Sequence, residues 1–300
     1  MVSRMLRRLV DVPEMLAWRR QWRAAQAIDR SERELELYRR MFGSEFLHVG
    51  YFEDAGVAPH DISLRMLTDA MRAYAELVLQ RLGPQDQGKT VLDIGCGVGG
   101  LMRMLGERGL RPAGVTPNPI HARLIRERLP GMTVHLAPFQ DLDVQALPAR
   151  YELATSTEAL HNVPLDAALD KLKQVVQPGG RLILIDYFRL HDRARSRSGW
   201  MLKDFEAALP RHGIKVIEST DIGPNTLPTM AFGHLWATRI GFPLIEFQLD
   251  KFSIERPVLG YLLQPLREKL RARMNRVEVL DPKVLAAEKR YLVQQLQLPG

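Results

Sequence analysis

Short apolar runs alternate with amphipathic segments through the middle of the chain. Six of these runs are predicted as strands, at residues 91–94, 112–116, 132–136, 151–156, 181–187 and 214–217. Between them, apolar residues recur at helical spacing, and glycine or a Pro-Gly pair ends several of the segments. Strands that alternate with helices predict an α/β fold with a doubly wound, mostly parallel sheet of the Rossmann-like type.

The regions on either side of this core have a different pattern. Residues 1–60 begin with an apolar, arginine-rich helical segment, and we interpret them as a helical lid packed on the core, which comprises residues 61–222. An amphipathic helix that contacts a membrane surface is the alternative for the N-terminal segment. From residue 223, prolines interrupt aromatic-rich segments, and helical spacing then continues through Tyr291 and Leu296. We therefore predict a helical cap over residues 223–300.

The first strand runs into a glycine-rich turn that carries the strongest chemical signal in the sequence. Asp93 is followed by Gly95, Gly97, Gly99 and Gly100, and a helix begins directly after them. Glycines at such a turn let the backbone approach a ligand closely. Three of them satisfy G-x-G-x-x-G, which alone is a weak dinucleotide signal. The acid two positions before the first glycine favours a ligand that carries an ammonium group over a dinucleotide, because a carboxylate repels a pyrophosphate. The remaining interpretation is a tight turn that binds no ligand.

Composition and charge narrow the class of protein. The 300 residues are 46% hydrophobic and 26% charged, which is ordinary for a globular protein with a full core. The one cysteine, Cys96, excludes an intramolecular disulfide and a Cys-rich zinc site, and we predict no metal. The net charge is +7, but the basic residues are widely spread, so no nucleic-acid partner is expected. Without a secretory signal or a membrane-spanning run, a cytoplasmic location is expected.

Over about residues 46–222 the chain resembles class I S-adenosylmethionine (SAM) methyltransferases. The motifs that carry the resemblance are the glycine loop after Asp93 and residues 47–52, 114–116, 158–163 and 177–182. Within that class the chain is most similar to the group that contains sterol, tocopherol, geranyl diphosphate and cyclopropane-forming enzymes. The resemblance implies SAM as the cofactor. It also implies an acceptor that is a hydrophobic small molecule, such as an isoprenoid, a polyketide or a lipid-like metabolite.

The resemblance also assigns a cofactor site. The expected residues are Asp93, Gly95, Gly97, Gly99, Thr116, His121, Phe139 and Gln140. Thr116 stands where many class I enzymes have an acid for the ribose, and His121 stands where the sterol and cyclopropane-type enzymes have a glutamine. The family's acid for the adenine amine is replaced by Pro138, so adenine would depend on stacking by Phe139 and on hydrogen bonds from Gln140 or backbone amides. A surface histidine and a core phenylalanine are the alternatives for His121 and Phe139.

Four side chains are candidates for chemistry on the acceptor: Glu158, His161, His48 and Tyr51. The first two follow the fourth strand, at the carboxyl edge of the sheet, where ligands bind in such folds. A base is needed only if the acceptor loses a proton, and a supporting hydrogen-bonding role is the alternative for each residue. Because the family's bicarbonate-binding cysteine has no counterpart, the cyclopropane reaction is not expected. A nucleic-acid methyltransferase and a non-methylating cyclase or binding scaffold remain as alternative functions.

Overall fold

The computed structural model describes residues 12–13, 15–17, 32–33, 35–38 and 40–300. Its described residues between 12 and 42 are helical, and the other positions of the predicted N-terminal helical segment lie outside the described residues. Leu35 is buried in a small cluster with Val98 and Ile120, close to the glycine loop. The Tyr38 hydroxyl lies 3.9 Å from the Met71 sulfur. This part of the predicted lid therefore packs on the core.

Seven strands form one sheet in the order β3-β2-β1-β4-β5-β7-β6. The strands are β1 (Thr90–Ile94), β2 (Arg111–Thr116), β3 (Thr133–Leu136), β4 (Tyr151–Thr157), β5 (Val176–Arg189), β6 (Lys215–Asp221) and β7 (Lys289–Gln297). The helices of the core are α1 (Leu64–Leu79), α2 (Gly100–Glu107), α3 (Pro119–Arg128), α4 (Leu165–Val175) and α5 (Leu202–Arg211). They are followed by α6 (Gly223–Trp236), α7 (Phe242–Glu255), α8 (Pro257–Leu262), α9 (Gln264–Met274) and α10 (Pro282–Glu288). The predicted doubly wound, mostly parallel α/β fold is confirmed.

The local signals for helix starts correspond to real caps. The Ser63 hydroxyl accepts a hydrogen bond from the Met66 N–H and so caps the start of α1. The Asn118 side chain accepts from the N–H groups of Ile120 and His121, and Pro119 occupies the first position of α3. These caps fix where the two helices begin relative to the sheet edge.

The prediction that the chain continues as helix through Tyr291 and Leu296 is wrong, because both residues lie in β7. This strand runs antiparallel to both of its neighbours, β5 and β6. Tyr291, Leu292, Val293 and Leu296 are all buried, since β7 is covered on both faces. A strand that is buried on both faces lacks the period of two that identifies a half-buried strand. The predicted C-terminal cap therefore includes one strand of the central sheet.

Candidate functional site

The glycine loop between β1 and α2 makes close approaches that exclude larger residues. Gly95, Gly97 and Gly99 have φ values of 75°, 52° and 93°, a region that favours glycine. A Cβ on Gly95 would lie 2.1 Å from the Cβ of Ala159, so the loop passes directly against the segment that follows β4. The Gly95 N–H donates to the carbonyl oxygen of Val115 at 2.9 Å. The loop is thus held at the carboxyl ends of β1, β2 and β4.

A cavity of about 220 Å³ opens beside this loop. Five of the eight expected cofactor residues line it: Asp93, Gly95, Gly97, Thr116 and His121. The segment before α1 supplies further lining residues that sequence reasoning did not single out for the cofactor, among them Glu45, Phe46 and Leu47. Phe46 begins the stretch that carries the family resemblance, so its aromatic character was the available signal. A side chain at Gly97 would extend into this cavity and reduce the space for a ligand.

Asp93 lies at the base of the cavity in a dry environment. Its side chain is buried and accepts a hydrogen bond from the Thr155 hydroxyl at 3.0 Å. Burial raises the pKa of the Asp93 carboxyl to about 7, and the hydrogen bond from Thr155 opposes that shift. A cationic group in the cavity would favour the ionised carboxylate and offset its desolvation. Asp93 therefore fits the expected contact with an ammonium group.

We expect the ligand-free protein to lose stability through Asp93 as the pH rises. The pKa of this carboxyl is higher in the folded chain than its ordinary value of 3.8, so folding binds the proton more tightly. Below the ordinary pKa of 3.8 this group makes its full contribution to the free energy of unfolding. The contribution then falls as the pH rises from that value to about 7. Asp93→Asn cannot ionise, so its melting temperature should rise relative to the parent between about pH 4 and pH 7 and keep a constant difference above that. Thermal melts that keep a constant difference over that lower range as well would contradict this.

Three of the expected cofactor residues do not reach the cavity. Phe139 is buried in the hydrophobic core with Leu92 and Ile94, because the short 3₁₀ turn after β3 directs its ring inward. Gln140, on the same turn, is exposed. Gly99 lies at the start of α2, where a Cβ would meet Leu129 at 2.8 Å. The structure therefore favours the core alternative for Phe139 and places Gln140 facing outward, and the roles expected for them at the adenine stay predictions.

Glu158, at the rim of the cavity, combines backbone strain with a raised pKa. It has φ = 51°, the one positive value among the described non-glycine residues. Its Oε1 accepts from the Val49 N–H at 3.4 Å. Burial, followed by the charge of Asp186, raises the pKa of the Glu158 carboxyl to about 7. Strain and a raised pKa at one cavity residue mark it as a functional candidate.

His48 lines the same cavity from the opposite side. Its ring stacks on Tyr74 with centroids 4.5 Å apart, and Nδ1 donates to the Val49 carbonyl oxygen at 2.8 Å. Burial lowers the pKa of His48 to about 4, so the ring is neutral at pH 7 with Nε2 as the free acceptor. The buried Tyr74 hydroxyl lies close enough to Glu158 to lower the pKa of its carboxyl, but it makes no hydrogen bond of normal geometry with any described residue. Glu158, His48 and Tyr74 therefore form one polar group at the rim.

The other two candidates for chemistry lie away from the cofactor cavity. His161 Nδ1 lies 2.6 Å from Asp186 Oδ1, and its Nε2 lies 3.0 Å from the Tyr187 hydroxyl oxygen. Tyr51 is half-buried against α1, where its N–H donates to the Ala70 carbonyl oxygen. Of the four candidates for chemistry on the acceptor, Glu158 and His48 therefore line this cavity, whereas His161 and Tyr51 do not.

A second cavity, of about 170 Å³, lies at the same edge of the sheet beyond this polar group. Its apolar lining comes from α6, α10 and Leu190, the residue after β5, and includes Leu227, Met230 and Leu285. Tyr291 and Lys289, from the start of β7, also line it. Lys289 Nζ lies 4.1 Å from the centre of the Tyr187 ring, and Tyr187 in turn contacts Tyr291 with ring centroids 5.4 Å apart.

Sequence reasoning did not identify Tyr187, Tyr291 or Lys289 as site residues, because the contacts among them depend on β7, which the sequence did not predict. Burial, followed by the charge of Arg189, lowers the pKa of Lys289 to about 8. The Tyr187–Tyr291 contact joins the second cavity to the His161–Asp186 pair. Among the described residues, no group of three or more His, Cys, Asp or Glu side chains is arranged to hold a metal ion.

The sheet order, with its antiparallel β7, and an acid-led glycine loop beside a cavity define a class I SAM-dependent methyltransferase. Residues 66–223 match the family model described as a methyltransferase domain, and the chain belongs to that family. The O-methyltransferase cnsE of Penicillium expansum is 28% identical over 240 residues, which cover 73% of this chain and 83% of that protein. The prediction of this class, with SAM as cofactor, is confirmed.

Solved structures of low sequence identity share the fold. The [4+2]-cyclase SpnF superposes with a TM-score of 0.61 at 18% identity, covering 91% of this chain and 95% of that one. Geranyl diphosphate C-methyltransferase from Streptomyces coelicolor A3(2), crystallised with S-adenosyl-L-homocysteine, has a TM-score of 0.59 at 17% identity, with coverages of 84% and 91%. At these identities the likeness establishes a common architecture and not a common reaction.

Proposed function

We propose that the protein transfers the methyl group of SAM to a hydrophobic small molecule. The observation that carries this proposal is the position of Glu158, a half-buried acid with a pKa of about 7 at the rim of the cofactor cavity. A second, largely apolar cavity lies at the same sheet edge. An acid with a pKa near the working pH is suited to take a proton from an oxygen or nitrogen acceptor. The relatives named above support a small molecule as the acceptor.

We assign the cofactor to the cavity beside the glycine loop. Bound SAM supplies a methyl group activated on a cationic sulfonium. Gly97 leaves room for close approach of the backbone, and Asp93 supplies negative charge to the ammonium group. Thr116 and His121 border the same space and take the ribose side, in place of the acid of many class I enzymes. The proposed organisation keeps residues 61–222 as the cofactor-binding core between a lid and a cap.

The roles on the acceptor side are divided between two sets of residues. Glu158 is proposed as the base and His48 as a neutral partner at the cavity rim. His161 is proposed as a positioning residue, because its two ring nitrogens contact Asp186 and Tyr187. The acceptor is proposed to lie against Tyr291 and the apolar lining of the second cavity, including Met230. Packed side chains would exclude water, so alignment and proton removal together lower the barrier.

The direct test is methyl transfer from labelled SAM to a panel of prenylated hydroquinones, phenols and polyprenyl diphosphates, with bulk tRNA as a separate arm. Label in the organic extract, matched by release of S-adenosylhomocysteine, supports the proposal. Label only in tRNA would assign the chain to nucleic-acid methylation. Conversion of a polyene acceptor without S-adenosylhomocysteine release would assign it to cyclisation. Either of these results would overturn the proposal.

Filling the second cavity should weaken acceptor binding alone. Met230→Trp places a larger ring among Leu227, Leu285 and Tyr291, so the KM for the acceptor should rise about tenfold or more. The affinity for S-adenosylhomocysteine should stay unchanged, since Met230 does not line the cofactor cavity. Met66→Trp makes the same exchange on an exposed position of α1 and serves as the control. Equal acceptor KM values for the two variants would place the acceptor elsewhere.

A further inference from the structure

Helices α7 and α8 and the first turn of α9, residues 242–266, expose an unusual amount of apolar surface; we call this segment the apolar arm. Neither α7 nor α8 has a buried residue. Ile254, Val258 and Tyr261 are 80%, 73% and 75% exposed. The other large apolar residues exposed in the arm are Leu244, Ile245, Phe247, Phe252, Leu262, Leu263 and Leu266. Ten large apolar side chains exposed within 25 residues exceed the single exposed apolar residues that are normal on a protein surface, and such a concentration indicates an interaction site.

The arm and its flanks are also positively charged. Residues 237–276 contain eight Lys or Arg and four Asp or Glu. Three of the four acids are held in ion pairs within the segment: Glu246 with Arg271, Asp250 with Arg267, and Glu255 with Lys251. Arg239, Arg256 and Lys269 make no ion pair in the part of the chain that the structure describes. The apolar arm and its flanks therefore combine exposed apolar side chains with an excess of positive charge.

The positive charge of the apolar arm and its flanks favours a negatively charged partner over a positively charged one. A second copy of the chain would bring an equal excess of positive charge to the same interface if the two arms met face to face. The N-terminal residues 1–31 contain seven Arg and three Asp or Glu, so their charge has the same sign. An anionic lipid surface supplies both an apolar layer and negative headgroups. Among the described residues, no helix has the length and apolar character needed to cross a bilayer.

We propose that the apolar arm docks on the surface of an anionic lipid bilayer. Ile254, Val258 and Tyr261 enter the boundary between headgroups and acyl chains. Arg239, Arg256 and Lys269 contact the lipid phosphates. The proposal concerns a surface separate from both cavities and does not rest on methyl transfer.

The test is cosedimentation of the full chain with vesicles of phosphatidylcholine, with or without phosphatidylglycerol, at low and high salt. The bound fraction should be several-fold higher with phosphatidylglycerol and should fall as salt is raised. Ile254→Ser/Val258→Ser should reduce the bound fraction several-fold at both salt concentrations. Ile217→Ser/Val216→Ser makes the same two exchanges at exposed positions of β6 and should bind as the parent does. Affinity for S-adenosylhomocysteine, measured without vesicles, should be equal in all three proteins and reports on their folding.

Three results would overturn the proposal. The first is an absence of vesicle binding or equal binding to both vesicle types. The second is an equal loss of binding in the arm variant and the β6 variant. The third is a dimer in buffer that Ile254→Ser/Val258→Ser converts to a monomer, because this would assign the arm to a second copy of the chain. None of these results bears on methyl transfer, which is measured with a soluble acceptor and no vesicles.

Discussion

Glu158→Gln is expected to lower the turnover number about 10²–10⁴-fold while the affinity for S-adenosylhomocysteine stays close to that of the parent. The variant keeps the size of the side chain but cannot accept a proton from the acceptor. Because the pKa of the Glu158 carboxyl is raised to about 7, the active ionised form accumulates as the pH rises through that value. The turnover number of the parent should therefore rise with pH and level off above about 8, whereas that of the variant should not follow this curve.

Pre-steady-state methyl transfer across the pH range, with calorimetry for S-adenosylhomocysteine, measures both quantities. Glu53→Gln, the same exchange at an exposed position, is the matched control and should behave as the parent does. If alignment of the acceptor alone drives transfer, Glu158→Gln will lose little activity and will keep the pH profile of the parent. That outcome would remove Glu158 from proton transfer and leave it as a residue that holds Val49 through its N–H.

Gly97→Val should abolish measurable binding of S-adenosylhomocysteine, with a loss of affinity of at least about 10²-fold, or about 2.7 kcal/mol. The first reason is space: a Cβ at this position faces the cavity, and the nearest protein atom, Leu47 Cδ1, is 3.7 Å away. The side chain would therefore occupy the volume that the ligand needs. The second reason is the backbone, because a β-branched residue at φ = 52° is strained by about 1–2 kcal/mol.

A second glycine separates these two causes. Gly131 has φ = 94°, lies outside the cofactor cavity, and has nothing within 4 Å of the position of a Cβ. Gly131→Val therefore imposes backbone strain without filling the cavity. It should lower the melting temperature, as Gly97→Val does, while it retains binding. If calorimetry shows that both variants lose the ligand equally, the loss comes from general destabilisation and the glycine loop has no special role.

The local signals of the core were sufficient to predict most of the fold. The strand before Asp93, the glycine loop and the caps at Ser63 and Asn118 depend on residues close in sequence, and these features occur where the sequence places them. β7 was missed because a strand buried on both faces has no period of two. Leu292 and Leu296 are spaced as they would be on a helix, so only pairing with β5 and β6 settles their structure. That pairing joins residues that are far apart in sequence.

The candidate site likewise contains some features that depend on residues close in sequence and others that depend on residues far apart. Asp93, Gly95 and Gly97 belong to one continuous motif, so their place beside the cavity could be predicted. Glu158 could be placed at the sheet edge, but its raised pKa depends on Asp186 in β5 and on the burial that the whole site imposes. Phe139 was expected beside a ligand because an aromatic residue follows β3, yet nothing local distinguishes an inward ring from an outward one. Its burial depends on packing against Leu92 and Ile94.

The position of β7 between β5 and β6 sets the order in which the sheet can be completed as the chain is synthesised. β5 presents the apolar run Leu182–Ile185 on an edge that is unpaired until residues 289–297 leave the ribosome. At about 5–20 residues per second, the interval between the end of β6 at Asp221 and the start of β7 at Lys289 lasts roughly 3–14 s. During this interval a nascent chain exposes two open strand edges that invite pairing with other chains. Chaperones that bind nascent chains would therefore matter most while helices α6–α10 are being made.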